Sequence, residues 1–159
     1  MNARFKDYLL QVTQASDCKE VGIIQSLWSG YGQISRYQLM DSSIKTVVVK
    51  HISPDQTTEH PRGWNTSKSH IRKVKSYQIE THWYEKWNEQ CTLDCKTPIF
   101  MGSYSNGDKQ WIILEDLDKN FPVRIEEITL EEIQVCLKWL ANFHATFLRK
   151  KPEGLWEVG

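Results

Sequence analysis

Thr46-Val47-Val48-Val49-Lys50-His51-Ile52 is the stretch on which the fold turns. Consecutive β-branched valines disfavour a helix, and a run that is apolar at every position reads as a strand covered on both faces. Lys45 to Ile52 is therefore expected as the third and most buried strand, with Lys50 at its exit. A cation placed there can reach nucleotide phosphates lying under a glycine turn, and a carboxylate on a neighbouring helix can hold it in position.

Upstream, Phe5, Tyr8, Leu9 and Val12 recur at helical spacing and predict a short amphipathic helix. Two further strands are expected, Gly22 to Leu27 and Ile34 to Met40, with a turn from Trp28 to Gln33 that carries Gly30-Tyr31-Gly32. Downstream, Ser53 to Ser69 contains Pro54, Pro61 and Gly63 and reads as a long loop. A helix over roughly Ser69 to Glu89 follows. At 100° per residue it places Glu80 on one face with Ser76, Trp83, Tyr84 and Trp87. A carboxylate on an aromatic face either pairs with a cation, for which Lys50 is the natural candidate, or lies at the edge of that face in solvent.

Pro98 to Tyr104 and Lys109 to Leu114 flank Ser105-Asn106-Gly107-Asp108, and Asn-Gly predicts a hairpin whose two central residues both have positive φ. The second of these strands runs into Glu115-Asp116-Leu117-Asp118, an acidic, turn-prone tract that reads as a hinge. Thr129-Leu130-Glu131-Glu132 forms a capping box, after which Ile133, Cys136, Leu137, Leu140, Phe143, His144 and Phe147 follow one helical stripe. That stripe is expected to face a core. No further helix follows to cover it, so its Phe143 side is expected to be poorly covered.

Composition narrows the function classes. The chain has 159 residues, 40% of them hydrophobic, and its Lys plus Arg equal its Asp plus Glu. A net charge of zero gives no global electrostatic case for nucleic acid or an anionic membrane. The one basic stretch, with Arg62, Lys68, Arg72, Lys73 and Lys75 and no acid between His60 and Gln78, reads as a solvated surface or a local phosphate contact. No apolar run approaches the ~18 residues of a membrane span, and the N-terminus has no apolar signal core, so a cytoplasmic location is expected. Cys18, Cys91, Cys95 and Cys136 show neither a disulfide framework nor the spacing of a zinc site.

Five segments, in order, carry a resemblance: Trp28-Ser29-Gly30-Tyr31-Gly32, Val47-Val48-Val49-Lys50, Ser76-Tyr77-Gln78-Ile79-Glu80 with Trp83-Tyr84, Leu114-Glu115-Asp116-Leu117, and Leu140-Ala141-Asn142-Phe143-His144-Ala145. Together they resemble the choline kinase and aminoglycoside phosphotransferase superfamily, nearest its ecdysteroid-kinase-like branch, over roughly Val21 to Leu148. The resemblance implies an α+β, protein-kinase-like N-terminal lobe at 1–115, with a five-stranded, mainly antiparallel sheet and one crossing helix. Residues 116–159 would be the hinge and first helix of a truncated C-terminal lobe.

It also implies roles for an ATP site. Ser29, Gly30, Tyr31, Gly32 and Gln33, with Ser35, would cover the phosphates, and Lys50 would bind the α and β phosphates with Glu80 orienting it. Glu115 and Leu117 would offer backbone groups to adenine. The family's catalytic Asp, and the Asn and Asp that hold Mg²⁺, belong to a His-Gly-Asp loop beyond the Phe-His-Ala helix, and no His-x-Asp occurs in these residues. Asp116 with Asn120 has the wrong spacing and place to substitute. The expectation is the ATP-binding part of a small-molecule kinase without its catalytic loop. The other readings are a non-catalytic nucleotide-binding or protein-interaction module, whose last helix docks on a missing lobe or another protein, and a basic-patch binder of nucleic acid.

Overall fold

The computed structural model describes residues 2–54 and 67–156, excepting the side chains of Ser29 and of residues 67–69. Most of the expected loop from Ser53 to Ser69, including Arg62, lies outside the described residues, as does the side chain of Lys68. The elements run α1 (Ala3–Thr13), β1 (Asp17–Ser26), β2 (Gly32–Met40), β3 (Thr46–Ile52), α2 (Ser67–Lys86), β4 (Phe100–Asn106), β5 (Lys109–Glu115) and α3 (Leu130–Phe147). The architecture is α+β. Its one sheet has the order β1-β2-β3-β5-β4, every neighbouring pair is antiparallel, and the valine strand lies at its centre.

Alternation along β3 divides the core in two. Val47 and Val49 point to the face covered by α1, where they meet Phe5, Leu9, Tyr37, Leu39, Trp111 and Ile113. Helix α1 reaches that face because Phe5 and Leu9 are one turn apart, and Asn2 caps it by accepting the Phe5 amide at 3.2 Å. Ile52 points to the other face with Leu27, Tyr31, Ile112 and Leu114, where Val74, Tyr77 and Tyr84 of α2 pack. Registry puts Lys50 on this second face, between Ile34 of β2 and Ile112 of β5.

Several boundaries differ from the sequence-based expectation. Strand β1 starts five residues earlier, at Asp17, because Cys18 and Glu20 continue the ladder opposite Leu39 and Tyr37. Register shifts between Glu20 and Gly22 and between Ile23 and Gln25 break the alternation that would have revealed it. Helix α2 ends at Lys86 rather than Glu89. Asn88 leaves the helix to bond Thr97 Oγ1 and the Pro98 carbonyl and to accept the Phe100 amide, tying the connection to the start of β4. In the hairpin Asn106 pairs with Lys109, so the turn is Gly107-Asp108 with positive φ at Gly107 alone, as in a type II′ turn.

Helix α3 has both halves of the capping box: the Thr129 amide donates to Glu132 Oε2 at 2.7 Å and the Glu132 amide to Thr129 Oγ1 at 3.4 Å. Its packing differs from a simple core-facing stripe. It docks along one edge, through Trp139, Phe143, Thr146 and Phe147. Phe143 and Phe147 meet Trp83, Phe147 also meets Trp87, Trp139 Nε1 donates to the Lys96 carbonyl, and Thr146 touches Cys95. Trp139, which lies off the expected stripe, is the anchor missed by the periodicity. Ile133, Leu137 and Leu140 of that stripe are exposed.

Gly32 tests the packing of the β1–β2 turn against β3. Its φ is +127°, and a Cβ there would lie 2.0 Å from the His51 carbonyl oxygen, which is backbone and unable to yield. Gly32→Ala is expected to destabilise the chain by at least ~1–3 kcal/mol from backbone strain, read as a lower urea midpoint. An unchanged midpoint would mean that the turn lifts away from β3 without cost.

Candidate functional site

Lys50 and Glu80 meet. The ammonium donates to both carboxylate oxygens, at 2.7 Å to Oε1 and 2.6 Å to Oε2, and lies 5.1 Å from the centre of the Tyr77 ring. Lys50 is largely covered, with 14% of its side chain exposed against 31% for Glu80, so the pair has a dry end at the sheet and a wetter end on the helix. The carboxylate takes two of the three N–H donors an ammonium carries, leaving one for an incoming oxygen. The phenols beside the pair are held protonated. Burial first, then the Glu80 charge, pushes Tyr84 up to about 12 and moves Tyr77 in the same direction.

The glycine turn lies one rung away, since Gly32 pairs with Ile52 two residues beyond Lys50. Trp28–Gly30 makes a single 3₁₀ turn, with Gly30 at φ +70°. The turn is fastened rather than loose: the Ser53 amide donates to the Tyr31 carbonyl at 2.8 Å and the Leu27 amide to the Gly32 carbonyl at 2.9 Å. Tyr31 points inward, is buried, and its hydroxyl meets His70 Nδ1 at 2.7 Å while its ring packs on Tyr77. It is a peg joining the turn to α2, not a side chain that covers a ligand.

Gln33 and Ser35 depart from their expected role as donors above Lys50. Alternation turns both to the opposite face, where Gln33 Nε2 donates to Glu20 Oε1 at 3.0 Å and to Ser35 Oγ at 2.9 Å. They line a separate polar cavity of about 180 Å³ with Glu20, Tyr37, His51 and Trp111. The side chain of Ser29 lies outside the described residues, so only its place in the 3₁₀ turn is given.

Glu115 and Leu117 lie at the far end of the Lys50 face. Glu115 pairs with Val47, three residues before Lys50 on β3 and thus ~10 Å along the strand. Its side chain accepts from Lys96 Nζ at 2.8 Å and from the Ile99 amide, and its own amide donates to the Ile99 carbonyl. The Leu117 carbonyl accepts from the amides of Asn120 and Phe121. Among the described residues, the Leu117 amide is the group of this tract left for a ligand edge.

The tract is set in place by Arg36, which sequence reasoning did not single out. From β2, on the same face as Lys50, Arg36 reaches across Val48 to Asp116, with Nε–Oδ2 at 2.6 Å and Nη2–Oδ1 at 3.1 Å, and also pairs with Asp118. Arg124 pairs with Asp118 from the other side at 2.6 Å. The parity of Arg36 with Ile34 on an otherwise apolar face was the available signal. A third feature was also missed. Residues 152–156 cross α2, where the Glu153 carbonyl accepts from Trp87 Nε1, and Pro152, Leu155 and Trp156 close a groove of about 550 Å³ over Ile79, Glu80, Trp83 and Tyr84.

Of the basic stretch, Lys73 lies over the Tyr31 ring and Lys75 over Trp156, whereas Arg72 is exposed. Among the described residues no group of three or more His, Cys, Asp or Glu side chains gathers to hold a metal ion, and no helix is long and apolar enough to cross a membrane. Compared with models of protein families and with curated proteins, the chain matches none.

Asp116 gives the hinge a pH signature. Burial raises its carboxyl, but hydrogen bonds from Arg36, Thr46 and the Asp118 amide outweigh that and hold it below the ordinary aspartate value. A carboxylate lowered in this way stabilises the fold fully above its unfolded value of ~3.9 and loses the contribution as pH falls through the folded value. Asp116→Asn is expected to cost ~1.5–3 kcal/mol at neutral pH, with the gap from wild type closing below about pH 4. Urea melts across pH check this, and a gap that ignores pH would place the effect in packing instead.

Proposed function

We propose that this chain is the ATP-binding part of a small-molecule phosphotransferase related to the choline kinase and aminoglycoside phosphotransferase superfamily. The carrying observation is Lys50 held by both oxygens of Glu80 on one sheet face, with a glycine turn at one end and the Glu115–Leu117 tract at the other. A strand lysine paired to a helix glutamate, under a glycine turn, is the arrangement that kinases use to place nucleotide phosphates. In this reading residues 1–115 form the kinase-like lobe and 116–159 the hinge with the first helix of a second lobe.

Each residue then has a bounded task. Lys50 binds the α and β phosphates through its remaining donor, Glu80 keeps the ammonium from turning away, and Gly30 and Gly32 let the turn lie close. Tyr31 fastens the turn and Gln33 continues the β2 ladder instead of contacting phosphate, because their side chains are engaged elsewhere and the Tyr31 amide and carbonyl are bonded to Trp28 and Ser53. Of the Glu115–Leu117 tract, the Leu117 amide is presented to adenine, and Arg36 keeps that edge in register. No His-x-Asp occurs in these residues, so the proposal gives them the nucleotide and not the transfer step. The exposed apolar side of α3 favours a second reading, a nucleotide-binding or protein-interaction module that works by docking.

Mg-ATP is expected to raise the melting temperature of the wild-type chain, corresponding to ~2.7 kcal/mol at a hundred times the dissociation constant. Lys50→Ala is expected to abolish the shift, and Glu80→Gln to weaken binding while leaving the protein folded. Differential scanning fluorimetry reads all three. A wild-type melt indifferent to nucleotide would overturn the proposal.

A further inference from the structure

We propose that Cys91 and Cys95 are a redox pair, a dithiol that a small disulfide closes into an intramolecular Cys91–Cys95 bond, and that closing it loosens the docking of α3. Two 3₁₀ turns, Asn88–Gln90 and Leu93–Cys95, carry the pair between α2 and β4. Each turn is set by one backbone bond, the Cys91 amide to the Asn88 carbonyl at 3.0 Å and the Cys95 amide to the Thr92 carbonyl at 3.2 Å. Two free thiols are thereby brought within hydrogen-bonding reach of each other, and bonding them asks for a short approach of the sulfurs to ~2.05 Å. The two differ in access. Cys91 is half-buried and lines a cavity of about 530 Å³ with Glu89, Thr92, Lys96 and Thr97, whereas Cys95 is 0% exposed. Cys91 is thus the sulfur that an outside reagent meets, and Cys95 the one that answers it from within.

The steps balance with the small disulfide as the only oxidant. The Cys91 thiolate, its proton passed to solvent, attacks one sulfur of R–S–S–R and expels R–S⁻, leaving a mixed disulfide on Cys91. The Cys95 sulfur, losing its proton in turn, attacks Cys91 Sγ and expels the second R–S⁻. The protein loses two electrons and two protons, and R–S–S–R becomes two R–SH. Burial first, then the neighbouring Cys95, push the Cys91 thiol up, while Thr97 and the Lys150 charge pull against them, so the first attack is slow. Closure reaches α3 because the buried sulfur is one of its seats. Cys95 Sγ lies 3.6 Å from Thr146 Oγ1, the carbonyl of the next residue, Lys96, accepts from Trp139 Nε1 at 3.0 Å, and Lys96 Nζ holds Glu115 at 2.8 Å. Drawing Cys95 toward Cys91 removes its S–H and shifts the chain at Lys96 against α3. The proposal does not rest on the nucleotide reading.

Incubation of the wild-type chain with glutathione disulfide, followed by thiol alkylation, trypsin digestion and mass spectrometry, tests it. Trypsin cuts after Lys86 and Lys96, so both sulfurs fall in the peptide 87–96. The expected product is that peptide lighter by two hydrogens and free of alkyl groups, returned to the dithiol by reduced glutathione. Cys95→Ser is expected to trap glutathione on Cys91, and Cys91→Ser to leave the buried Cys95 unmodified. A wild-type peptide that stays reduced or stops at the glutathione adduct, which requires no variant to fold, or a Cys91→Ser peptide modified as fast as wild type, would overturn the redox pair. Hydrogen exchange reads the coupling: the amides of α3 are expected to exchange about fivefold faster in the oxidised protein than in the reduced, the loss of roughly one hydrogen bond. Equal exchange in the two forms would overturn the link to α3.

Discussion

A lysine in the middle of the central strand dictates much of what surrounds it. Lys50 has a strand on either side and a helix above, and covering an ammonium in that position is costly unless an acid is brought to it. Glu80 is that acid, so α2 must cross the sheet at one register. With Glu80 placed, helical spacing delivers Tyr77 and Tyr84 to the apolar face under α2 and turns Trp83 and Trp87 outward to receive α3. The turn between β1 and β2 is drawn into the same arrangement, because Tyr31 anchors on His70 and Tyr77 of that helix. Strand, helix and turn are thus joined through contacts that all lie within three turns of Glu80.

The parts of this that were legible in the sequence are those fixed by local periodicity. The valine run, the capping box at Thr129 and the aromatic face carrying Glu80 each announce an element, and the pairing of Lys50 with Glu80 follows from needing a partner for a carboxylate among rings. What stayed hidden depends on alternation across strands. Gln33 and Ser35 flank Ile34, the β2 residue paired with Lys50, yet a period of two sends them to the other side of the sheet, and only the register of β2 against β3 reveals it. Arg36 was passed over for the converse reason: its partners Asp116 and Asp118 are 80 and 82 residues away, and nothing local marks the connection. Trp139 anchors α3 from the edge of its apolar arc, which helical periodicity averages away.

The turn and the acidic tract are restrained in different ways, with consequences for how the face between them behaves. The turn is held by backbone hydrogen bonds and one aromatic peg, and its tip residue Trp28 is 83% exposed. The tract is held by a bidentate guanidinium at one acid and by two arginines at the next, a geometry that fixes orientation as well as distance. One end of the face is therefore rigid and the other is a short tethered loop. A ligand bound along it would take its register from the Arg36 end and its cover from the Trp28 end.

Stability alone does not account for Lys50. Its neighbours on the same row are Ile34 and Ile112, so an unbranched apolar side chain of similar length would continue the packing under α2 and would spare the desolvation of two charges. Replacing a covered ion pair by apolar residues is often neutral or favourable, whereas keeping one partner without the other is costly. An acid alone opposite an isoleucine row, or a lysine alone beneath a helix, would be the worst arrangement, and the chain has neither. It keeps both charges, joined by two hydrogen bonds at the boundary between a dry sheet and an accessible helix face, with one ammonium donor to spare. In the proposed reading, the anion of a nucleotide is what offsets the desolvation cost of this pair. That physical argument, more than the order of motifs, is why the proposed function is placed on the Lys50 face rather than in the groove of about 550 Å³ over Glu80.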